Sequence, residues 1–307
     1  MSRPRPLPEE LRLAPFRVSE ALVLGATPKQ LRSARLHAPF HGVRSSVAVD
    51  DLHARCRAYE PLMTADQWFS HATAARLWGI PLPARLRDDD RLHVSTRRRE
   101  PQRVGVVGHR ISARRDVRIH LGFPVSGPAD AWCELAATRS PHGSTPSVDD
   151  LVIAGDRLIG WPSPLATLEE VDAAIARFSR SRGIRSIVAA RTHLRQGSGS
   201  PRETVLRRTV AAAPHGFPEP ECNGEIVLAS RRTHGDLVFR RYRVLLEYDG
   251  DQHRTNARQW HRDVDRLNEL AAAGWWVIRV HRGTHSHAWI DLLATALRRR
   301  GWSAGAE

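Results

Sequence analysis

The apolar positions of this chain switch between two periods, a helical spacing of three to four and a strand alternation of two. Near the start, 18–24 has a helical pattern. Gly25-Ala26-Thr27-Pro28 then forms a turn, with Thr27 as N-cap and Pro28 at the first helical position. A basic helix is expected over 29–36 and a strand over 39–44, together a winged-helix-like start. Trp68, Ala72, Ala75 and Trp78 fall near a 3.6-residue period and predict a helix over 64–78. Strands are expected at 92–94, 108–111 and 117–121. Helices are expected at 128–137, 169–176 and 186–195. Gln196-Gly197-Ser198-Gly199-Ser200-Pro201 has the composition of a linker.

After the linker the order is helix 202–213, strands 225–229, 236–239 and 243–248, helix 257–273, strand 275–280 and helix 288–299. Trp260, Val264, Leu267 and Ala271 make the apolar stripe of the long helix, and Gly274 ends it. The fold class is therefore α/β, a C-terminal mixed sheet flanked by helices after an α+β N-terminal region. Three domains are expected: 1–58 winged-helix-like, 59–196 α+β, and 197–307.

One stretch carries chemistry. Val244-Leu245-Leu246 runs into Glu247, Asp249, a turn at Gly250, and His253. Strand side chains alternate, so Glu247 and Asp249 share a face. Two like charges at the end of an apolar strand are tolerable when a cation lies between them. Asp236 opens the preceding strand. Three carboxylates and a histidine on adjoining strands outline a divalent-metal site for phosphodiester chemistry, with Asp236, Glu247 and Asp249 as metal ligands.

Charge narrows the partners. The 307 residues carry 47 Lys and Arg against 33 Asp and Glu, a net charge of +14, and Lys29 is the only lysine. Such a surface favours a polyanion, and DNA is the expected partner; charge alone does not separate DNA from RNA. Cys56, Cys133 and Cys222 are far apart and form no CxxC pair, which fits a reducing cytoplasm. No run of about 18 apolar residues suggests a membrane span. His281, His285 and His287 lack a suitably spaced fourth ligand and are not read as a zinc site. No catalytic constellation is expected in the middle region, and Arg97-Arg98-Arg99 is read as a solvated charge run.

The αβββαβ order over about 197–285 resembles the PD-(D/E)xK nuclease superfamily. More narrowly, it resembles the endonuclease-like domains (DUF559) related to very-short-patch repair endonucleases. The residues that carry the resemblance are Ser200-Pro201-Arg202-Glu203-Thr204, Gly235-Asp236-Leu237, Glu247-Tyr248-Asp249-Gly250-Asp251-Gln252-His253, Asp263, Arg266 and Gly274-Trp275-Trp276-Val277-Ile278-Arg279. The N-terminal region more weakly resembles AbiEi-type antitoxin proteins.

The nuclease resemblance implies Mg²⁺ (or Mn²⁺) held by Asp236 and Glu247, a supporting Glu203 on the first helix, and a lysine two residues after the second acid. Asp249 stands at that lysine position. Either His253 acts as the base, with Asp249 as a further ligand, or the site is inactive. The expected function is a metal-dependent DNA endonuclease with Glu203, Asp236, Glu247 and His253 as catalytic residues, and arginines such as Arg202, Arg207, Arg254 and Arg258 are expected to contact phosphates. The alternative is a non-catalytic DNA-binding regulator or antitoxin-like protein. Each residue also has a structural reading: Glu203 as a first-turn acid, Asp249 as a turn residue, His253 as a helix cap, and Asp263 with Arg266 as an i, i+3 ion pair.

Overall fold

The computed structural model describes residues 7–250 and 257–304, the helical turn 257–260 by its backbone only. In chain order the elements are β1 (Phe16–Arg17), α1 (Val18–Val23), α2 (Pro28–Leu31), β2 (Val43–Arg44), α3 (Leu52–Tyr59), β3 (Gln67–Phe69) and α4 (His71–Leu77). Next come α5 (Ala84–Arg87), β4 (Leu92–Thr96), β5 (Val106–Arg110), β6 (Val117–His120), β7 (Phe123–Ser126) and α6 (Pro128–Leu135). Then follow α7 (Val148–Leu158), α8 (Leu168–Arg177), α9 (Ile184–Arg191), α10 (Pro201–Ala212), β8 (Glu221–Val227) and β9 (Arg232–Phe239). The chain closes with β10 (Val244–Asp249), α11 (Ala257–Ala272), β11 (Trp276–His281) and α12 (Ser286–Arg299). No described helix is long and apolar enough to cross a membrane.

Contacts divide the chain into two units, 1–147 with 169–188, and 148–168 with 189–307. The expected limits at 58 and 196 do not coincide with this division, since 148–168 and 189–196 cluster with the C-terminal residues. The 196–201 segment is built into the second unit. Ser198 is buried and its hydroxyl lies 2.9 Å from Thr204 Oγ1. Gly197 has φ +97°, and a Cβ there would stand 2.5 Å from the Cys222 carbonyl oxygen. Linker composition here marks a tight packed turn, which only glycine can make.

In the first unit, β1 pairs with β2, and α1 and α2 close over Leu11, Phe16, Ala21, Ala26 and Leu31. Thr27 caps α2 in a capping box with Gln30. The basic helix expected over 29–36 is a single turn, Pro28–Leu31. Beyond Leu31 only Leu36 packs against this cluster, so no apolar stripe holds further turns. Lys29, Arg32 and Arg35 are exposed. The helix expected from 64 is also shorter. Trp68 lies on β3, its indole N–H donating to Ser126 Oγ, and the helix begins at His71. β3 belongs to a five-stranded mixed sheet of order β5-β4-β3-β7-β6.

The second unit has three layers around a sheet of order β11-β10-β9-β8. β8, β9 and β10 form an antiparallel meander, and β11 returns parallel to β10 after the α11 crossover. One face carries Leu237, Phe239, Val244, Leu246, Ile278 and Val280 against Leu206 and Val210 of α10 and Trp289, Leu293 and Leu297 of α12. The other face packs Val238 and Leu245 against Leu270 of α11. Ala271 is exposed, so the helix is turned from the expected stripe. Leu267, Leu270 and Ala273 follow the i, i+3 spacing of the sheet-facing side, and Arg266 lies on the same side.

Candidate acid site on the C-terminal sheet

Val244 pairs with Phe239, Leu245 with Val238 and Leu246 with Leu237. The next pair in this register is Glu247 opposite Asp236. Alternation then sets Asp236, Glu247 and Asp249 on the α11 face, where Val238 and Leu245 are buried one step earlier. Glu247 and Asp249 share a face as alternation predicts, and the register places Asp236 on the same face.

Each acid has a different partner. Asp236 Oδ2 accepts the Tyr248 backbone N–H at 2.6 Å. Burial pushes the Asp236 carboxyl up to about 7; the Tyr248 bond opposes this, and Glu203 and Glu247 reinforce it. Glu247 accepts both ends of the Arg266 guanidinium, Nη1 at 3.1 Å to Oε2 and Nη2 to Oε1. Arg266 also donates from Nε to Thr233 Oγ1 at 2.7 Å and from Nη2 to the His234 carbonyl at 2.7 Å. Asp249 pairs with Arg279 of β11 at 2.9 Å. Glu203 caps its own helix. Its N–H donates to Ser200 Oγ at 3.3 Å, and its Oε2 accepts the Gly199 N–H at 2.7 Å.

A cleft of about 230 Å³ is lined by His234, Asp236, Glu247, Tyr248, Asp249, Asp263, Arg266, Leu267 and Arg279. The acids do not converge tightly. Among the described residues, the one group of three or more potential ligands whose donor atoms all lie within 4.8 Å of one another is His71, His93 and His109, in the other unit. Arginine pairing explains the spread. Each guanidinium satisfies one carboxylate and removes the repulsion that a shared cation would otherwise relieve. His253 lies outside the described residues, as do Arg254 and the side chain of Arg258. Arg207, expected to contact phosphate, is instead buried and bonded to Asp156 Oδ2 at 2.7 Å.

A raised carboxylate pKa has a testable sign. The folded state binds the Asp236 proton more tightly than the unfolded chain, where aspartate titrates near 3.9. The cost of ionisation is therefore absent below about pH 4, grows towards pH 7 and is complete above it. Asp236→Asn, which keeps an acceptor for the Tyr248 N–H, is expected to stabilise the metal-free protein by roughly 1–3 kcal/mol at pH 8 and not at pH 4. Urea unfolding at the two pH values reads this directly. Equal effects at both would show that Asp236 ionises as freely in the fold as outside it.

The middle region, expected to be without a site, holds a buried polar cluster. His93 on β4 and His109 on β5 share a sheet face, because Ser95 pairs with His109 and His93 with Val107. His93 Nδ1 lies 2.9 Å from His109 Nε2, and the His71 ring stacks on His109 with centroids 3.6 Å apart. Burial pushes all three imidazoles down, His93 to about 3 and His109 to about 4. Glu134 accepts the His71 N–H at 2.8 Å and the Ser126 hydroxyl at 3.1 Å, and burial raises its carboxyl to about 7. His71 itself has φ +50°, a left-handed backbone uncommon outside glycine and asparagine. The sequence signal was faint: single histidines inside the strand patterns Leu92-His93-Val94 and Gly108-His109-Arg110.

No family model, curated protein or solved structure matches this chain.

Proposed function

We propose that the C-terminal unit is a metal-dependent endonuclease of the PD-(D/E)xK type that hydrolyses DNA phosphodiesters. The observation that carries this reading is the Asp236–Glu247 juxtaposition. Two acids face each other at the end of adjacent strands, and partial burial raises the carboxyl of one, Asp236, to about 7. The helix, three-strand meander, crossover helix and parallel fourth strand support it, since this is the order implied by the nuclease resemblance.

The donor set suits Mg²⁺ or Mn²⁺. Both are oxygen-seeking cations that bind through one or two carboxylates and otherwise keep their water. Asp236 and Glu247 would hold the ion, with Asp249 beside them. When bound, it polarises a phosphoryl oxygen and lowers the pKa of a coordinated water. The chain's own residues prepare the site. The Tyr248 N–H fixes the Asp236 carboxylate through Oδ2, and Arg266 orients Glu247 by a two-pronged hydrogen bond. His253 is assigned the base, and Glu203 adds to the negative field around Asp236.

A second reading is a DNA-binding regulator with a nuclease-type scaffold. The Arg266 fork already takes both oxygens of Glu247, Arg279 takes Asp249, and no lysine stands in this unit. Purified protein incubated with plasmid and with single-stranded DNA, in Mg²⁺, Mn²⁺ or EDTA, separates the two. Cleavage that EDTA abolishes supports the nuclease; binding without cleavage in either metal supports the regulator.

Both readings require DNA binding that is steeply salt-dependent. With six to ten phosphate contacts, affinity should fall by roughly 10³–10⁵ between 50 and 200 mM salt through counterion release. Exposed arginines such as Arg202, and Lys29, Arg32 and Arg35 in the first unit, are the candidate contacts. A flat response across that range would remove DNA as the partner.

A further inference from the structure

We propose that His71, His93 and His109 form a binding site for one transition-metal ion of the Zn²⁺ class, separate from the acid site and independent of the nuclease reading. Three observations meet here. One ring nitrogen from each histidine lies within 4.8 Å of the others, and no other group of the described residues does this. The donors are imidazole nitrogens, which suit Zn²⁺, Co²⁺, Ni²⁺ or Cu²⁺ better than Mg²⁺. His93 is 2 % exposed and its Nδ1 faces His109 Nε2 at 2.9 Å, so two imidazole nitrogens converge in a buried place.

The surroundings are those of a ligand site. A cavity of about 250 Å³ is lined by His71, His109, Cys133 and Glu134. Glu134 Oε2 stands 3.9 Å from His71 Nδ1, so a carboxylate is close enough to offset the ion's charge. Arg110, Arg115 and Arg182 line the same cavity and oppose a bare cation. They suit an anionic fourth ligand instead, in the open position that a three-histidine site leaves.

The rings as they stand are closed on one another. Zn–N bonds of about 2.0–2.1 Å in a tetrahedral site set the nitrogens about 3.3–3.4 Å apart. His93 Nδ1 and His109 Nε2, at 2.9 Å, share a proton in the place of that ion. Nor can one ion lie in the planes of two rings stacked 3.6 Å apart. Binding therefore turns His109 off His71. His109 is the least buried of the three and sits on β5, an edge strand, where such a turn disturbs the least packing.

The test uses the full chain stripped with EDTA. Titration with Co²⁺ should give the intense visible absorption of a four-coordinate nitrogen site at one ion per chain, displaced by Zn²⁺. His109→Ala should weaken binding by ~100-fold or more, since even residues behind a metal ligand cost about 10–100-fold. Glu247→Gln should leave the band unchanged. If His109→Ala does not fold, imidazole ¹⁵N spectra of the wild type with Zn²⁺ decide the ligands. Shifts confined to three histidines, assigned as His71, His93 and His109, support the site. No four-coordinate band in the wild type, a band retained by His109→Ala, one lost in Glu247→Gln, or ¹⁵N shifts elsewhere would each overturn it.

Discussion

Glu247→Gln is expected to reduce Mg²⁺-dependent DNA cleavage to the level seen in EDTA while leaving DNA binding within a few-fold of wild type. Glutamine removes the charge that would hold the cation but keeps an oxygen for Arg266. Arg266 also retains Thr233 and the His234 carbonyl. Glu247→Ala is the poorer probe. It leaves a half-buried guanidinium without its two-pronged acceptor and mixes a folding defect with the catalytic one. His253→Ala should slow cleavage by roughly 10²–10⁴, the span for losing a general base. Wild type in EDTA is the control, and Glu247→Gln activity above that control would remove Glu247 from the metal site. If wild type cleaves neither DNA nor RNA with either metal, the regulator reading stands, and Lys29, Arg32 and Arg35 are the next residues to change.

Arg207→Ala is expected to destabilise the second unit by about 3–5 kcal/mol, the cost of leaving a buried charge without its partner. Asp156 on α7 is 1 % exposed, and its carboxylate accepts from Arg207 Nη2, the Thr204 hydroxyl and the Arg195 N–H at 2.7–2.9 Å. Arg207 also reaches the His193 carbonyl at 3.0 Å. Without Arg207, Asp156 keeps two neutral donors but no counter-charge. Urea unfolding should show a lower midpoint. Asp156→Asn with Arg207→Met should recover much of the loss, because removing both charges of a buried pair costs far less than removing one. A single-mutant loss below about 1 kcal/mol would mean that water reaches Asp156 and the pair is not structural.

The C-terminal fold was legible because its signals agree at several levels. Ser200-Pro201 opens α10 with a side-chain cap, Gly274 ends the α11 segment at φ +80°, and strand alternation aligns Asp236 with Glu247. The N-terminal helices were over-extended. Basic residues favourable to helix continue past Leu31, but propensity without an apolar stripe does not hold a short helix in water. Trp68 fits a helical period with Ala72 and Ala75 yet pairs with Ser95 in the sheet, where ladder bonds and burial override the pattern.

For the sites, residue order alone determined which carboxylates share a strand face, and composition determined the net charge of +14 on which the proposed polyanionic partner rests. Both follow from rules that act within a few residues or over the whole charge. Tertiary structure alone decided the pairing of those charges. Arg266 and Glu247 are 19 residues apart, Asp156 and Arg207 are 51 apart, and nothing local says which arginine reaches a carboxylate and which stays exposed. The three histidines follow the same logic. His71, His93 and His109 come from a helix start and two strands, and the parallel register of β4 and β5 brings two of them together. Long-range packing makes that contact, and burial then keeps their imidazoles neutral near pH 7.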